Sequence, residues 1–213
     1  MEKKDFWLTQ YYRPLHGFLI REKIESDGDC FFSCVSIAYS EYKKKKYPPL
    51  IFRKHIAKSI TQEQFDFYKI IHEAERDPES EIWRQKTGEF EHASFISTVS
   101  TLEDFKAFVL TKNYFADELA IDLLEKKLNL KFLIFSIHHV TERQSPLKLC
   151  DIPSITKKTM KIYSYVMLEQ DKNHYNIIRY GGKSLFSFSA LPSLIQIELH
   201  LIAEQNRIKG ITK

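Results

Sequence analysis

Apolar residues recur along this chain first at helical spacing and later at strand spacing. From Cys30 to about Lys45, the positions Phe31, Cys34, Val35, Ala38 and Tyr42 fall on one side of a 3.6-residue repeat, which predicts an amphipathic helix. Pro48 and Pro49 end it and can open the next helix, over about 50–60, because proline is tolerated in a first turn. Residues 62–76 repeat the pattern through Phe65, Tyr68, Ile71 and His72. Asp77-Pro78 marks the boundary, since the residue before a proline avoids helical angles. The stretch from Gly88 to Ser100 is polar and loop-like. Thr101-Leu102-Glu103-Asp104 reads as a capping box with Asp in place of the usual Glu, and starts a helix to about Leu110. Leu119, Leu123, Leu124 and Leu128 predict another over 115–128.

The period then changes. Lys131 to Ile137 is a short apolar run of strand length, and 161–169 and 174–180 are rich in β-branched and aromatic residues. Asp171-Lys172-Asn173 between the last two predicts a hairpin. Leu191-Pro192 restarts a helix to about Asn206. Residues 1–25 are aromatic-rich and broken at Pro14 and Gly17, with room for a short helix or strand. Helices first and strands late predict an α+β fold, a small central sheet flanked by helices.

At 213 residues, a single domain is expected. Such a chain buries roughly 70% of its unfolded surface, enough for a core without metal or disulfides. The cysteines, Cys30, Cys34 and Cys150, are odd in number and give no disulfide framework. With His138 and His139 they also lack the two tight pairs of a structural zinc site, so neither metal nor cofactor is expected. The net charge of +4 is mild, and its one basic run, Lys43 to Lys46, suits a helix C-terminus. Tyr163, Tyr165 and Tyr175 read as hairpin packing rather than base stacking, so nucleic acid is not an expected partner. Met1-Glu2-Lys3-Lys4-Asp5 has no apolar run behind it, and nowhere are eighteen consecutive residues apolar. A cytoplasmic monomer without membrane contact is the expectation.

The chemistry concentrates in Ser26-Asp27-Gly28-Asp29-Cys30-Phe31-Phe32, directly before the first helix. A cysteine in a helix's first turn faces the positive end of the macrodipole, which favours thiolate and lowers its pKa from about 8.5. Gly28 lets the backbone turn sharply, so the amides of Asp27, Gly28, Asp29 and Cys30 are candidates for an oxyanion hole. His174 is the candidate base. In a strand over 174–180 it shares a face with Asn176, which can accept from Nδ1–H and leave Nε2 for the thiol. Asp27, on the turn that carries Cys30, is a rival for the orienting role, and both stand as third members.

Asp27-Gly28-Asp29-Cys30-Phe31-Phe32 resembles the cysteine box of the ovarian tumour (OTU) family of deubiquitinases, Asp-Gly-Asn/Asp-Cys-Leu/Phe-Phe/Tyr. His174-Tyr175-Asn176 resembles that family's late His-Tyr-Asn strand. Tyr114-Phe115-Ala116-Asp117-Glu118-Leu119-Ala120-Ile121 is similar to its middle helix, with Tyr114-Phe115 where a Trp is common. The wording Ala-Asp-Glu-Leu-Ala-Ile is similar to members encoded by large DNA viruses. The resemblance spans about residues 24–180. It implies a papain-like fold, hydrolysis of isopeptide bonds through a cysteine thioester, and ubiquitin, polyubiquitin or ubiquitin-like modifiers as partners. It also maps the third catalytic member onto Asp27 or Asn176.

The expected organisation is an N-terminal extension over 1–23, a catalytic domain over 24–182 and a C-terminal helical extension over 183–213 packed on it. Glu89, Phe90 and His92 in the polar stretch, with Lys172, Asn173 and Tyr175 at the hairpin, are the candidate substrate contacts. The alternative is a non-catalytic ubiquitin-binding module on the same scaffold.

Overall fold

A computed structural model describes residues 19–76, 99–136, 159, 162–171 and 173–210. A short strand, β1 (Leu19–Glu22), leads to five helices: α1 (Cys30–Lys43), α2 (Pro49–Ser59), α3 (Gln62–Arg76), α4 (Leu102–Val109) and α5 (Glu118–Leu128). Strands β2 (Leu130–Ser136), β3 (Ser164–Asp171), β4 (His174–Tyr180) and β5 (Leu185–Phe186) follow, then helix α6 (Ser193–Ile208). Helices and strands thus form the expected α+β arrangement.

Local chemistry accounts for several of these boundaries. Pro49 opens α2 at its first position. Thr101 and Asp104 form the expected capping box at α4, with both reciprocal hydrogen bonds present. The helix predicted from 115 begins instead at Glu118, because the Asp117 side chain accepts from the Ala120 amide at 2.9 Å and so caps the helix there.

The sheet has the order β1-β4-β3-β2, with β5 pairing the start of β3 beyond the end of β4. Neighbours are antiparallel except β2 and β3, which run parallel. Parallel pairing requires a crossover between β2 and β3. Two cores form on the two faces. Phe132, Ile134, Val166, Leu168 and Ile177 pack toward α1–α5, while Leu133, Phe135, Tyr165, Met167 and Ile178 pack against Leu191, just before α6, and Ile195, Leu199 and Ala203 of α6. The strict alternation along β2 and β3 explains why these strands read as apolar runs: both faces are covered.

Leu19–Glu22, counted with the N-terminal extension on sequence grounds, is an edge strand of this sheet, in register from Leu19↔Tyr180 to Glu22↔Ile177. Among the described residues, no helix is long and apolar enough to cross a membrane. Tyr165 and Tyr175 are buried in the cores, so they offer no stacking platform.

Candidate active site

The first turn of α1 lies alongside the start of β4. Cys30 is the first residue of α1, and its sulfur stands 3.9 Å from the Asn173 carbonyl, in the peptide that joins Asn173 to His174. One turn on, the Cys34 sulfur is 3.8 Å from the Tyr175 carbonyl. Phe31 packs edge-on against both Tyr175 and Phe132, which clamps helix to sheet. The two ends of the sequence motif, 144 positions apart by number (174 − 30), meet at one end of the sheet.

His174 is held by Asn176, as the shared strand face requires, but through the other nitrogen from the one expected. Nε2 lies 3.2 Å from Asn176 Oδ1, while Nδ1 is buried with no hydrogen-bond partner among the described residues. With Nε2 on Asn176, Nδ1 is the ring nitrogen left over, and it makes no hydrogen bond to the Cys30 thiol, which lies against the Asn173 carbonyl instead. Thiol–imidazole contacts in free enzymes are often long and tighten when substrate binds.

Asp27 does not take part in that contact. Its Oδ1 accepts from the Asp29 amide at 3.0 Å and its Oδ2 pairs with Lys112 at 2.5 Å. Of the two candidate third members, Asn176 is the one brought to the imidazole. The Lys112 ammonium holds the Asp27 carboxyl below the usual carboxylate range, against an opposing effect of burial and with further help from the Asp29 amide. The Asp29 amide, spent on Asp27, is also removed from the oxyanion candidates.

The Cys30 thiol departs from expectation. It is 4% exposed, and burial pushes its pKa up. The amides of Tyr175 and Phe31 pull it down by less, and the Asp27 charge adds to the rise. Desolvation of the thiolate outweighs the helix N-terminus.

Tyr175, expected to touch substrate, faces the core, since odd positions of β4 point toward α1. Asn173 is exposed at the hairpin tip. Glu89, Phe90, His92 and Lys172 lie outside the described residues, as do Cys150, His138 and His139. Among the described residues, no cluster of three or more potential metal ligands occurs, and Cys30 and Cys34 are free thiols.

No family model matches the chain, and no curated protein matches it. Among solved structures, the chain is similar to an ovarian tumour (OTU) domain in complex with ubiquitin. That likeness runs over 93% of this chain and 92% of the other, at 14% identity and a TM-score of 0.47.

Two features of the site were not singled out in the sequence. Arg53 of α2 is 1% exposed and ties the turn down: Nε to Asp29 Oδ1 at 2.6 Å, Nη2 to the Gly28 carbonyl at 2.8 Å, and Nη1 to the Val109 and Tyr114 carbonyls at 2.9 and 3.0 Å. The guanidinium also lies 4.1 Å from the centre of the Phe32 ring. An available signal was its place on the apolar side of α2, beside Phe52, Ile56 and Ala57. Behind Asn176, a fully buried Glu169 accepts from its Nδ2 at 3.0 Å and pairs with Arg21 at 3.1 Å. The charged Glu169-Gln170-Asp171 end of an otherwise apolar strand was the corresponding hint.

Proposed function

We propose that this chain is a cysteine peptidase that hydrolyses the isopeptide bond after the C-terminal glycine of ubiquitin. The observation that carries the proposal is the meeting of the Cys30 turn with the start of β4, where His174 is held by Asn176 and Nδ1 has no partner among the described residues. This supports reading the site as Cys-His-Asn. The substrate class rests on the cysteine box and the His-Tyr-Asn strand resembling the OTU family, and the papain-like character of the fold is part of the same reading. Ubiquitin-like modifiers would present the same kind of tail.

Since burial holds the thiol protonated, activation runs through the base. His174 Nδ1 takes the Cys30 proton as Sγ attacks the glycine carbonyl. The new oxyanion is received by backbone amides of Asp27, Gly28 and Cys30. The imidazolium then protonates the lysine amine, the C–N bond breaks, and a thioester remains on Cys30. Water, deprotonated by His174, hydrolyses the thioester and restores the thiol. The free thiols suit a reducing, cytoplasmic setting.

A second reading has its own observation. The near-complete burial of Cys30 is what a recruitment module on this scaffold would tolerate and a peptidase must open. A ubiquitin probe with a C-terminal electrophile separates the two. The peptidase forms a covalent adduct that Cys30→Ala abolishes. An adduct that survives this change, or moves to Cys34 or Cys150, overturns the assignment, and saturable binding without any adduct selects the module.

A further inference from the structure

We propose that Glu169, paired with Arg21, is a positioning residue that fixes the His174 proton on Nε2 by dictating which way the Asn176 amide points. The inference rests on the peptidase reading for its purpose, but its geometry stands independently.

An asparagine amide can present either its oxygen or its nitrogen to a neighbour, and the two choices have opposite consequences here. With Oδ1 toward His174, Nε2 must carry the proton and Nδ1 keeps a lone pair. With Nδ2 toward His174, Nε2 must accept, so the proton moves to Nδ1 and the imidazole cannot take one from a thiol there. The backbone does not settle this, since β4 positions the side chain and leaves its terminal torsion free.

Glu169 settles it. In the β3–β4 register it sits directly opposite Asn176, fully buried, with Oε2 3.0 Å from Asn176 Nδ2. Arg21, on the far side of β4, donates from Nη1 to Oε1 at 3.1 Å and Oε2 at 3.2 Å. A carboxylate held by an arginine offers only acceptors to the amide, so Nδ2 turns toward it and Oδ1 turns away. The Ile24 amide donates to the same Oδ1 at 3.1 Å, which agrees with that orientation. Three strands therefore contribute to one proton position: Arg21 from β1, Glu169 from β3, and Asn176 with His174 from β4. The chain Arg21–Glu169–Asn176–His174 is polar throughout, on the same sheet face that Ile178 shares with α6, and its outer end is His174, whose peptide with Asn173 carries the carbonyl 3.9 Å from Cys30 Sγ.

The test reads the His174 ring directly. Nitrogen-15 spectra of the full chain, assigned by comparison with His174→Gln, report which nitrogen is protonated in the neutral ring. Alkylation of Cys30 by iodoacetamide at neutral pH reports its activation. Wild type is expected to show Nε2–H. Arg21→Met with Glu169→Leu removes charge and acceptor together, a change that buried pairs often tolerate. It is expected to populate Nδ1–H and slow alkylation about tenfold, in the range of losses when an orienting partner is removed. Glu169→Gln with Asn176→Asp exchanges acceptor and donor, keeps an acceptor beside Nε2, and is expected to retain Nε2–H.

A folded Arg21→Met, Glu169→Leu variant with the wild-type tautomer and rate overturns the proposal. So does Nδ1–H in the exchanged variant, which decides the matter alone if the first variant does not fold. Neither readout uses ubiquitin. A chain that keeps Nε2–H yet ignores the ubiquitin probe refutes the substrate and leaves the proton lock standing.

Discussion

Arg53 grips Asp29 at 2.6 Å, and through that pair the turn before Cys30 is fastened to a helix more than twenty residues further on. The guanidinium is nearly sealed from solvent and is matched by one carboxylate and three carbonyls. Its planar fork places donors on Gly28, Asp29, Val109 and Tyr114 at once, which a lysine ammonium cannot do. The shape of the turn before Cys30 is therefore set by α2 and the end of α4 as much as by its own sequence.

Replacing this residue should be costly. Arg53→Met leaves Asp29 and three carbonyls without their donor, and a loss of about 3–5 kcal/mol is expected, as for other broken buried pairs. Arg53→Lys is expected to recover less than half of it. Chemical denaturation of the three proteins measures both, and a lysine variant as stable as wild type would show that charge alone matters.

Gly28 is the second fixed point of the turn. Its φ of +85° lies where side chains are disfavoured, and a Cβ there would sit 2.0 Å from the Lys112 carbonyl. Gly28→Ala must move backbone on one side or the other. A destabilisation of at least about 2 kcal/mol is expected from strain and clash together. Loss of Cys30 labelling by the ubiquitin probe should accompany it, and an alanine variant of unchanged melting temperature and labelling contradicts the account.

Asn176 and Asp27 should separate cleanly in kinetics. Asn176→Ala removes the partner of His174 Nε2 and is expected to lower kcat about 10–100-fold with little change in KM. Asp27→Ala removes only the Lys112 pair and the Asp29 turn contact, and about twofold or less is expected, in line with partly exposed ion pairs. Side-by-side turnover of a di-ubiquitin decides it, and the reverse order would reinstate Asp27 as the third member.

The raised thiol makes a pH prediction. Burial favours the protonated form, so in His174→Ala the alkylation rate of Cys30 should climb only above the ordinary thiol range. The sign for stability follows the same way. A raised folded-state pKa contributes stability below the unfolded thiol's pKa, and this is lost as pH rises through the higher folded value. Cys30→Ser should therefore lose less stability than wild type on passing into that alkaline range. An alkylation midpoint below the ordinary thiol range in His174→Ala would mean that the helix N-terminus prevails after all.

The Asp27–Lys112 pair carries the opposite sign. A lowered carboxyl pKa contributes stability above the unfolded value that disappears as pH falls through the lowered one. With the carboxylate over a third exposed, the contribution at neutral pH is expected to be no more than about 1 kcal/mol. Asp27→Asn and wild type should accordingly differ slightly at pH 7 and converge in acid, as thermal melts across that range can show.

The helices and strands were legible because their causes are local. Periodicity within a few turns produced α1, α2 and β4, the Thr101–Asp104 box produced α4, and Cys30, His174 and Asn176 were readable as a chemical set from their types and order. Contacts over long separations were not. β1 is four residues without a repeat of its own, and only pairing with β4 makes it a strand. The two-residue β5 forms where the pairing of β4 with β3 stops at Met167↔Ile178 and leaves Tyr165 and Val166 to another strand.

At the site, the sequence by itself supplied the candidate set of Cys30, His174 and Asn176, since the capacity to act as nucleophile, base or orienting amide is a property of residue type. Tertiary structure decided the rest: that Nε2 rather than Nδ1 meets Asn176, that Asp27 turns to Lys112, that the sulfur is buried, and that Arg53 and Glu169 stand behind the turn and the amide. The contacts behind them join groups from 2 residues apart, His174 and Asn176, to 152 apart, the Ile24 amide and Asn176. Hydrogen bonds lose their strength within an ångström or so of the optimum, so only the packed chain, and no pattern along it, fixes which ones form.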